Sequence, residues 1–162
     1  MQQANVCRLA PVLAAAFCLT GWGARAQSPS IDGRWLSSNG ERVVEIAACE
    51  NGAAGRCGTV IWLRSPTDTS GVPIKDIANS NAVLKRRPIC ELQILTEFSS
   101  SVSGGWSGQI YDLDEGRTTR GVLKLEGDVL VLNFDRETPD SQAVIAQVWS
   151  RMSRPFARCS PR

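Results

Sequence analysis

From Gly33 to Met152 the chain is a succession of short strand-like runs, each closed by a turn signal. The runs are Gly33–Ser38, Arg42–Ala48, Gly58–Leu63, Ile89–Phe98, Trp106–Asp112, Arg120–Glu126, Val129–Asp135 and Ala143–Met152. Several alternate in polarity with a period of two, as in Val43, Val44, Glu45 and Ile46 or in Trp106, Gly108 and Ile110. Asn39-Gly40 and Gly127-Asp128 are hairpin turns, and Asp112 to Gly116 is a tight turn. No stretch keeps a helical period over three turns, and no internal repeat is visible. The pattern predicts one all-β domain of about eight antiparallel strands. The expected arrangement is an antiparallel sheet closed into a barrel, with its first and last strands adjacent.

One stretch breaks the rhythm. Ser65 to Asn81 is rich in Ser, Thr, Pro, Asp and Gly and reads as a long polar loop. Asn81 to Arg87 has the composition of a short helical turn, ended by Pro88 because the residue before proline is pushed away from helix. Long loops in compact domains are uncommon and are often functional.

The ends fix the expected compartment. Met1 to Ala26 reads as a secretory signal: Arg8 is the positive n-region, Leu9 to Leu19 is a short apolar stretch, and Ala24-Arg25-Ala26 is a cleavage pattern. That stretch is too short to span a bilayer comfortably. The expected organisation is a signal over 1–26 and a domain over 27–162, with a core of 33–152 and a tail of 153–162. Removing Arg8 and Arg25 from the 18 Lys and Arg leaves 16, equal to the 16 Asp and Glu. A mature chain near neutrality has no bulk attraction for nucleic acid or anionic membrane. The leader also takes Cys7 and Cys18, leaving Cys49, Cys57, Cys90 and Cys159. An even number in an exported chain predicts disulfides, with three possible pairings. Cys49 and Cys57 flank a turn-rich loop between two strands, which favours Cys49–Cys57; Cys90–Cys159 then follows by elimination and staples the tail.

Candidate chemistry concentrates in the long loop. Asp76, Asn79, Asn81 and Arg87 could rim the mouth of a barrel, where ligands enter, or could simply cap turns and a short helix. Trp62, Trp106 and Tyr111 could line an apolar cavity or fill the core. Asp112, Asp114 and Glu115 share one turn and are expected to be solvated. Glu45, Glu91 and Glu97 lie in strands, with Glu97 expected to face solvent. The chain has no histidine, which excludes Ser-His-Asp and Cys-His catalysis. No metal site, cofactor site or catalytic pair is expected.

Two resemblances add to this. Gly33-Arg34-Trp35 near the first strand, with Arg151 in the last, resembles the Gly-x-Trp and arginine of the lipocalin-like (calycin) superfamily. There the guanidinium packs on the indole near the closed end of the barrel. The resemblance implies that Gly33, Trp35 and Arg151 close this barrel. The second is carried by five stretches: Asp32-Gly33-Arg34-Trp35, Cys57 to Leu63, Asp76 to Asn81, Arg87-Pro88-Ile89-Cys90, and Trp106 to Asp112. From Gly33 to Met152 these resemble the bacterial domain-of-unknown-function family 2147, which is exported, lipocalin-like and of unassigned activity. The chain departs from that family's pattern at Asn81, which replaces an aspartate, at Glu91, which replaces a glycine, at Leu113, which replaces a turn proline, and at Thr119, which replaces a tyrosine.

The expectation is therefore a monomeric periplasmic or secreted lipocalin-like barrel that binds a small apolar or amphipathic molecule without catalysis. The alternative is a cell-envelope module that presents Ser65 to Arg87 to a protein partner. A carboxylate-based hydrolase stands third. Nucleic acid and a membrane span are not expected.

Overall fold

The computed structural model describes residues 30–50, 54–102, 104–138 and 141–159. The proposed leader, 1–26, lies outside them. Eight strands form one antiparallel sheet closed on itself in chain order. They are β1 (Gly33–Leu36), β2 (Arg42–Ala48), β3 (Arg56–Leu63), β4 (Gln93–Ser100), β5 (Trp106–Asp112), β6 (Arg117–Glu126), β7 (Val129–Thr138) and β8 (Ser141–Arg151). A three-residue 3-10 turn, Leu84–Arg86, ends at Arg87, whose extended backbone fits its place before Pro88.

Antiparallel order sorts the connections between two ends. One end carries the turns after β1, β5 and β7 and the long connection from β3 to β4. The other carries the remaining turns, the entry into β1 and the exit from β8. At that second end the sheet closes. Trp35 pairs with Arg151 and Leu36 with Ser150. The Arg151 guanidinium lies 4.2 Å from the centre of the Trp35 ring and donates to the carbonyls of Asp32 and Ser30. Trp35 is fully buried and its indole N–H donates to Ile31 O at 2.8 Å. Gly33 holds φ at +127°, and a Cβ there would meet Arg151 at 2.8 Å, so the glycine serves both backbone and packing.

The lumen is a packed core. Trp35, Val44, Ile46, Val60, Leu95, Phe98, Leu123, Leu130, Leu132 and Trp149 are buried in one cluster. The register sets Val44 opposite Val60 and Leu130 opposite Trp149. Both disulfides form, Cys49–Cys57 and Cys90–Cys159. The tail runs back over the wall: the Cys159 N–H donates to Ile61 O, and Arg158 pairs with Glu45 at 2.7 Å.

β4 departs from simple alternation. It begins at Gln93 rather than Ile89, because Ile89 to Leu92 makes a turn in which Leu92 N–H donates to Ile89 O. Glu91 and Glu97 have φ of +62° and +57°, and the register with β5 shifts between Thr96 and Ser99. Glu91 thus takes a left-handed backbone of the kind that favours glycine. β4 also slips against β3, where Gly58 pairs with Leu95 and Thr59 with Gln93. With irregularities on both sides Ile94, Leu95 and Phe98 are all buried, so Leu95 is core although alternation from Leu92 excludes it. Glu97 is exposed, as alternation predicts.

Candidate functional site

The β3-to-β4 connection is held by a short ladder of its own. Lys75 bridges Pro88, and Asp76 N–H donates to Arg87 O at 3.0 Å. Residues 77–86 form an excursion that leaves and returns through this neck. Two Asx turns shape the excursion. Asn79 Oδ1 accepts from Asn81 N–H, and Asn81 Oδ1 accepts from the N–H groups of Val83 and Leu84. These amides do locally what a ladder partner does in a strand.

Beneath the neck lies a buried carboxylate. The Asp76 side chain is 0% exposed. Its Oδ2 accepts from Arg87 Nε at 2.9 Å and from the second guanidinium nitrogen at 2.8 Å. Tyr111 O–H donates to it at 2.7 Å, and Asn79 Nδ2 approaches at 3.2 Å. The same Asn79 nitrogen donates to the Tyr111 oxygen at 2.7 Å. The other carboxylate oxygen, Oδ1, is enclosed with no hydrogen-bond partner among the described residues. The Arg87 guanidinium stacks 4.9 Å above the Tyr111 ring. Burial, then the hydrogen bond to Asp76, pushes the Tyr111 hydroxyl above its ordinary range, which keeps it a proton donor. Gly116 completes the seat: at φ +66° it lets the β5–β6 turn press so closely on Ala78 that no side chain would fit. An ion pair this enclosed is held by charge-assisted bonds that offset desolvation.

Of the residues singled out in the sequence, Asp76, Asn79, Arg87 and Tyr111 meet in this network, and Asn81 adjoins it as a turn cap. Trp62 and Trp106 do not join them. Trp62 lies edge-on to Phe156 of the tail, 6.4 Å between ring centres, where Arg34 also packs. Trp106 is half-buried and packs against the core cluster, beside a hollow bordered by Ser30, Arg56 and Phe98. Asp112 is buried rather than solvated; its carboxylate accepts from Asp114 N–H and shapes the turn. Glu45 faces outward between Arg34 and Arg158. Burial draws its pKa up, but hydrogen bonds from Arg158 and Arg34 outweigh that and hold it below the ordinary glutamate range. Among the described residues no group of three or more Cys, Asp or Glu is placed to hold a metal ion.

The lumen retains about 60 Å³ at the mouth, between Ser37, Asn39, Arg42, Tyr111, Asp112 and Trp149. Drug-sized ligands occupy cavities of roughly 300–1,000 Å³. Among the described residues this space at the mouth is too small for a lipid-sized guest in this conformation. Larger hollows open elsewhere. One of about 270 Å³ adjoins Asn79, Arg87, Tyr111 and Arg117. One of about 740 Å³ follows the outer wall past Glu45, Glu91 and Glu97.

The excursion also carries a feature that the polar reading of the loop passed over. Ile77 is 74% and Val83 77% exposed, and Leu84 is exposed beside them. Val72, earlier in the same connection, is exposed as well. The signal was present as three large aliphatic residues, Ile77, Val83 and Leu84, in a stretch whose other residues are small, amide or basic.

No curated protein matches this sequence. A protein from the human pathogen Helicobacter pylori, described as belonging to the lipocalin family, shares the fold with a TM-score of 0.58. Identity to it is 16%, over 78% of this chain and 85% of that one. With the closed eight-strand barrel, that likeness establishes a lipocalin-like fold. The family model for an uncharacterized protein conserved in bacteria (DUF2147) matches residues 33–135. By that match over most of its length, the chain belongs to the DUF2147 family.

Proposed function

We propose that the protein is a non-catalytic, exported binding protein whose working surface is the 77–86 excursion at the barrel mouth. The observation that carries this is the pairing of a buried anchor with an exposed tip. Asp76, Arg87 and Tyr111 hold the neck rigidly, while Ile77, Val83 and Leu84 stand in solvent. A buried ion pair under a loop costs desolvation, and its effect here is to present the tip in one conformation. Preorganised surfaces lose less entropy on binding. Two disulfides support an oxidising compartment. No described helix is long and apolar enough to cross a membrane. Export with cleavage after Ala26 completes the reading; the mature protein should begin at Gln27 on N-terminal sequencing.

The test is photo-crosslinking in intact cells from a probe at Ala82, in the exposed excursion, against a probe at the exposed wall residue Val144. Labelling of an envelope component from position 82 alone is expected. Equal labelling from both positions, or none, sinks the reading.

A second reading, a small apolar or amphipathic guest in the barrel, is favoured by the lipocalin-like fold and bounded by the 60 Å³ at the mouth. It requires the core to open. Native mass spectrometry that finds only the bare polypeptide after challenge with a lipid panel removes it.

A further inference from the structure

We infer that the 77–86 tip docks on an anionic phospholipid surface. The inference rests on the interaction reading above and names the partner. Three observations carry it.

The first is charge. Residues 77–87 contain Lys85, Arg86 and Arg87 and no acidic residue. Arg87 is neutralised by Asp76, whereas Lys85 and Arg86 are exposed. Lys75, at the neck, is exposed too. A chain with no bulk charge after loss of its leader thus gathers three outward cations around one protrusion. Polybasic segments beside a bilayer are drawn to anionic headgroups within a Debye length.

The second is the kind of apolar residue. Ile77, Val83 and Leu84 are aliphatic and exposed beside Lys85 and Arg86. Protein hot spots favour Trp, Tyr and Arg, under-use Leu and Val, and sit in interfaces depleted of lysine. Aliphatic side chains that enter the acyl boundary beneath a collar of Lys and Arg match an interfacial membrane contact instead.

The third is shape. The exposed residues project from a ten-residue excursion pinned at the Lys75–Pro88 bridge and the Asp76–Arg87 pair. The pinned neck leaves the tip free to enter a surface without unfolding. The acidic wall groove past Glu45, Glu91 and Glu97 lies outside this excursion.

The experiment uses protein purified after expression of the full chain, with its N terminus sequenced. It is cosedimented with vesicles of phosphatidylethanolamine and phosphatidylglycerol, and with vesicles of phosphatidylcholine alone. Binding to the anionic vesicles is expected, falling steeply with salt. Lys85→Glu with Arg86→Glu should weaken it by more than ~10-fold, on the scale of a few-fold per charge. Ile77→Ser with Val83→Ser should weaken it comparably, and Val122→Ser with Val144→Ser on the barrel wall should not. Circular dichroism melts confirm that each variant folds. Binding that survives both tip variants overturns the inference. Absence of vesicle binding, with Ala82 still crosslinking a protein in cells, overturns the membrane partner and leaves the tip as an interaction surface. Absence of both overturns this inference and the proposed function together.

Discussion

The barrel is fastened at each end by an arginine laid over an aromatic ring. At the closed end Arg151 covers Trp35; at the mouth Arg87 covers Tyr111. The two clasps differ in what accepts the guanidinium. Arg151 donates to main-chain carbonyls of Asp32 and Ser30. Arg87 donates to a buried carboxylate. Carbonyls cannot titrate, so the first clasp is a fixture of the barrel. A carboxylate can be removed or mispaired without touching the sheet, so the second holds a loop whose loss the barrel can survive. The same contact chemistry serves global closure in one place and local order in the other.

The sharpest test removes the ring at the closed end. Trp35→Ala should cost ~3–5 kcal/mol by leaving a large cavity, read as a lower midpoint in denaturant with the whole barrel melting in one step. A loss confined to the mouth would break the comparison. The mouth clasp should answer asymmetrically. Arg87→Ala leaves Asp76 buried without its cation and should cost ~3 kcal/mol. Asp76→Ala leaves Arg87, whose side chain is 30% exposed and can rehydrate, and should cost about 2 kcal/mol for the lost bonds. Both should open 77–86 to limited proteolysis while the barrel remains intact; equal costs, or no new cleavage, would show that the network does not hold the loop.

Tyr111→Phe removes one donor to the carboxylate and should cost about 1.5 kcal/mol. It also carries a pH signature. Tyr111 titrates higher in the folded protein than the ordinary value of 10.0. Its contribution is therefore complete below pH 10 and is lost as pH rises through the raised value. Denaturant midpoints should fall more steeply above pH 10 in the native protein than in Tyr111→Phe. The smallest effect belongs to the wall. Glu45 titrates below its ordinary 4.5, so its contribution is present above that pH and fades as pH falls below it. Being half-exposed and screened, Glu45→Gln should cost under ~1 kcal/mol, with a shallower acid slope as its sign.

The closed-end clasp was legible in the sequence because strands report themselves. Gly33, Trp35 and Arg151 sit in runs whose register and ends are set by alternation and turns, and the family resemblance placed them in contact. Cys49–Cys57 was legible for a similar reason, since its cysteines flank one turn, and Cys90–Cys159 followed only by elimination. The mouth was legible only as composition. Asp76 and Tyr111 are 35 residues apart, and a loop without period carries no register from which to pair them. Leu95 escaped because β4 is irregular against both neighbours, at Gly58 and Thr59 of β3 and between Thr96 and Ser99 toward β5, and a bulge has no compositional mark when a glutamate, not a glycine, takes the left-handed position. Trp62 read as a ring for the lumen; Phe156, far along the chain, gives it a place on the outer wall.

The β1–β8 seam has a consequence for the order of events. Strands β2 to β7 each pair with neighbours adjacent in sequence, so hairpins can form as the chain lengthens. β1 has one such neighbour, and its second partner is Arg151 and Ser150. At a synthesis rate of ~5–20 residues per second, that partner follows Trp35 by roughly 6–23 s. Through that interval the growing sheet is open, with one edge of β1 unpaired and prone to association. The final long-range step is one of high contact order, and the crosslink from Cys90 to Cys159 likewise waits for the last residues of the chain. Whatever receives this chain as it emerges meets an unclosed sheet first and a barrel only once the last residues arrive.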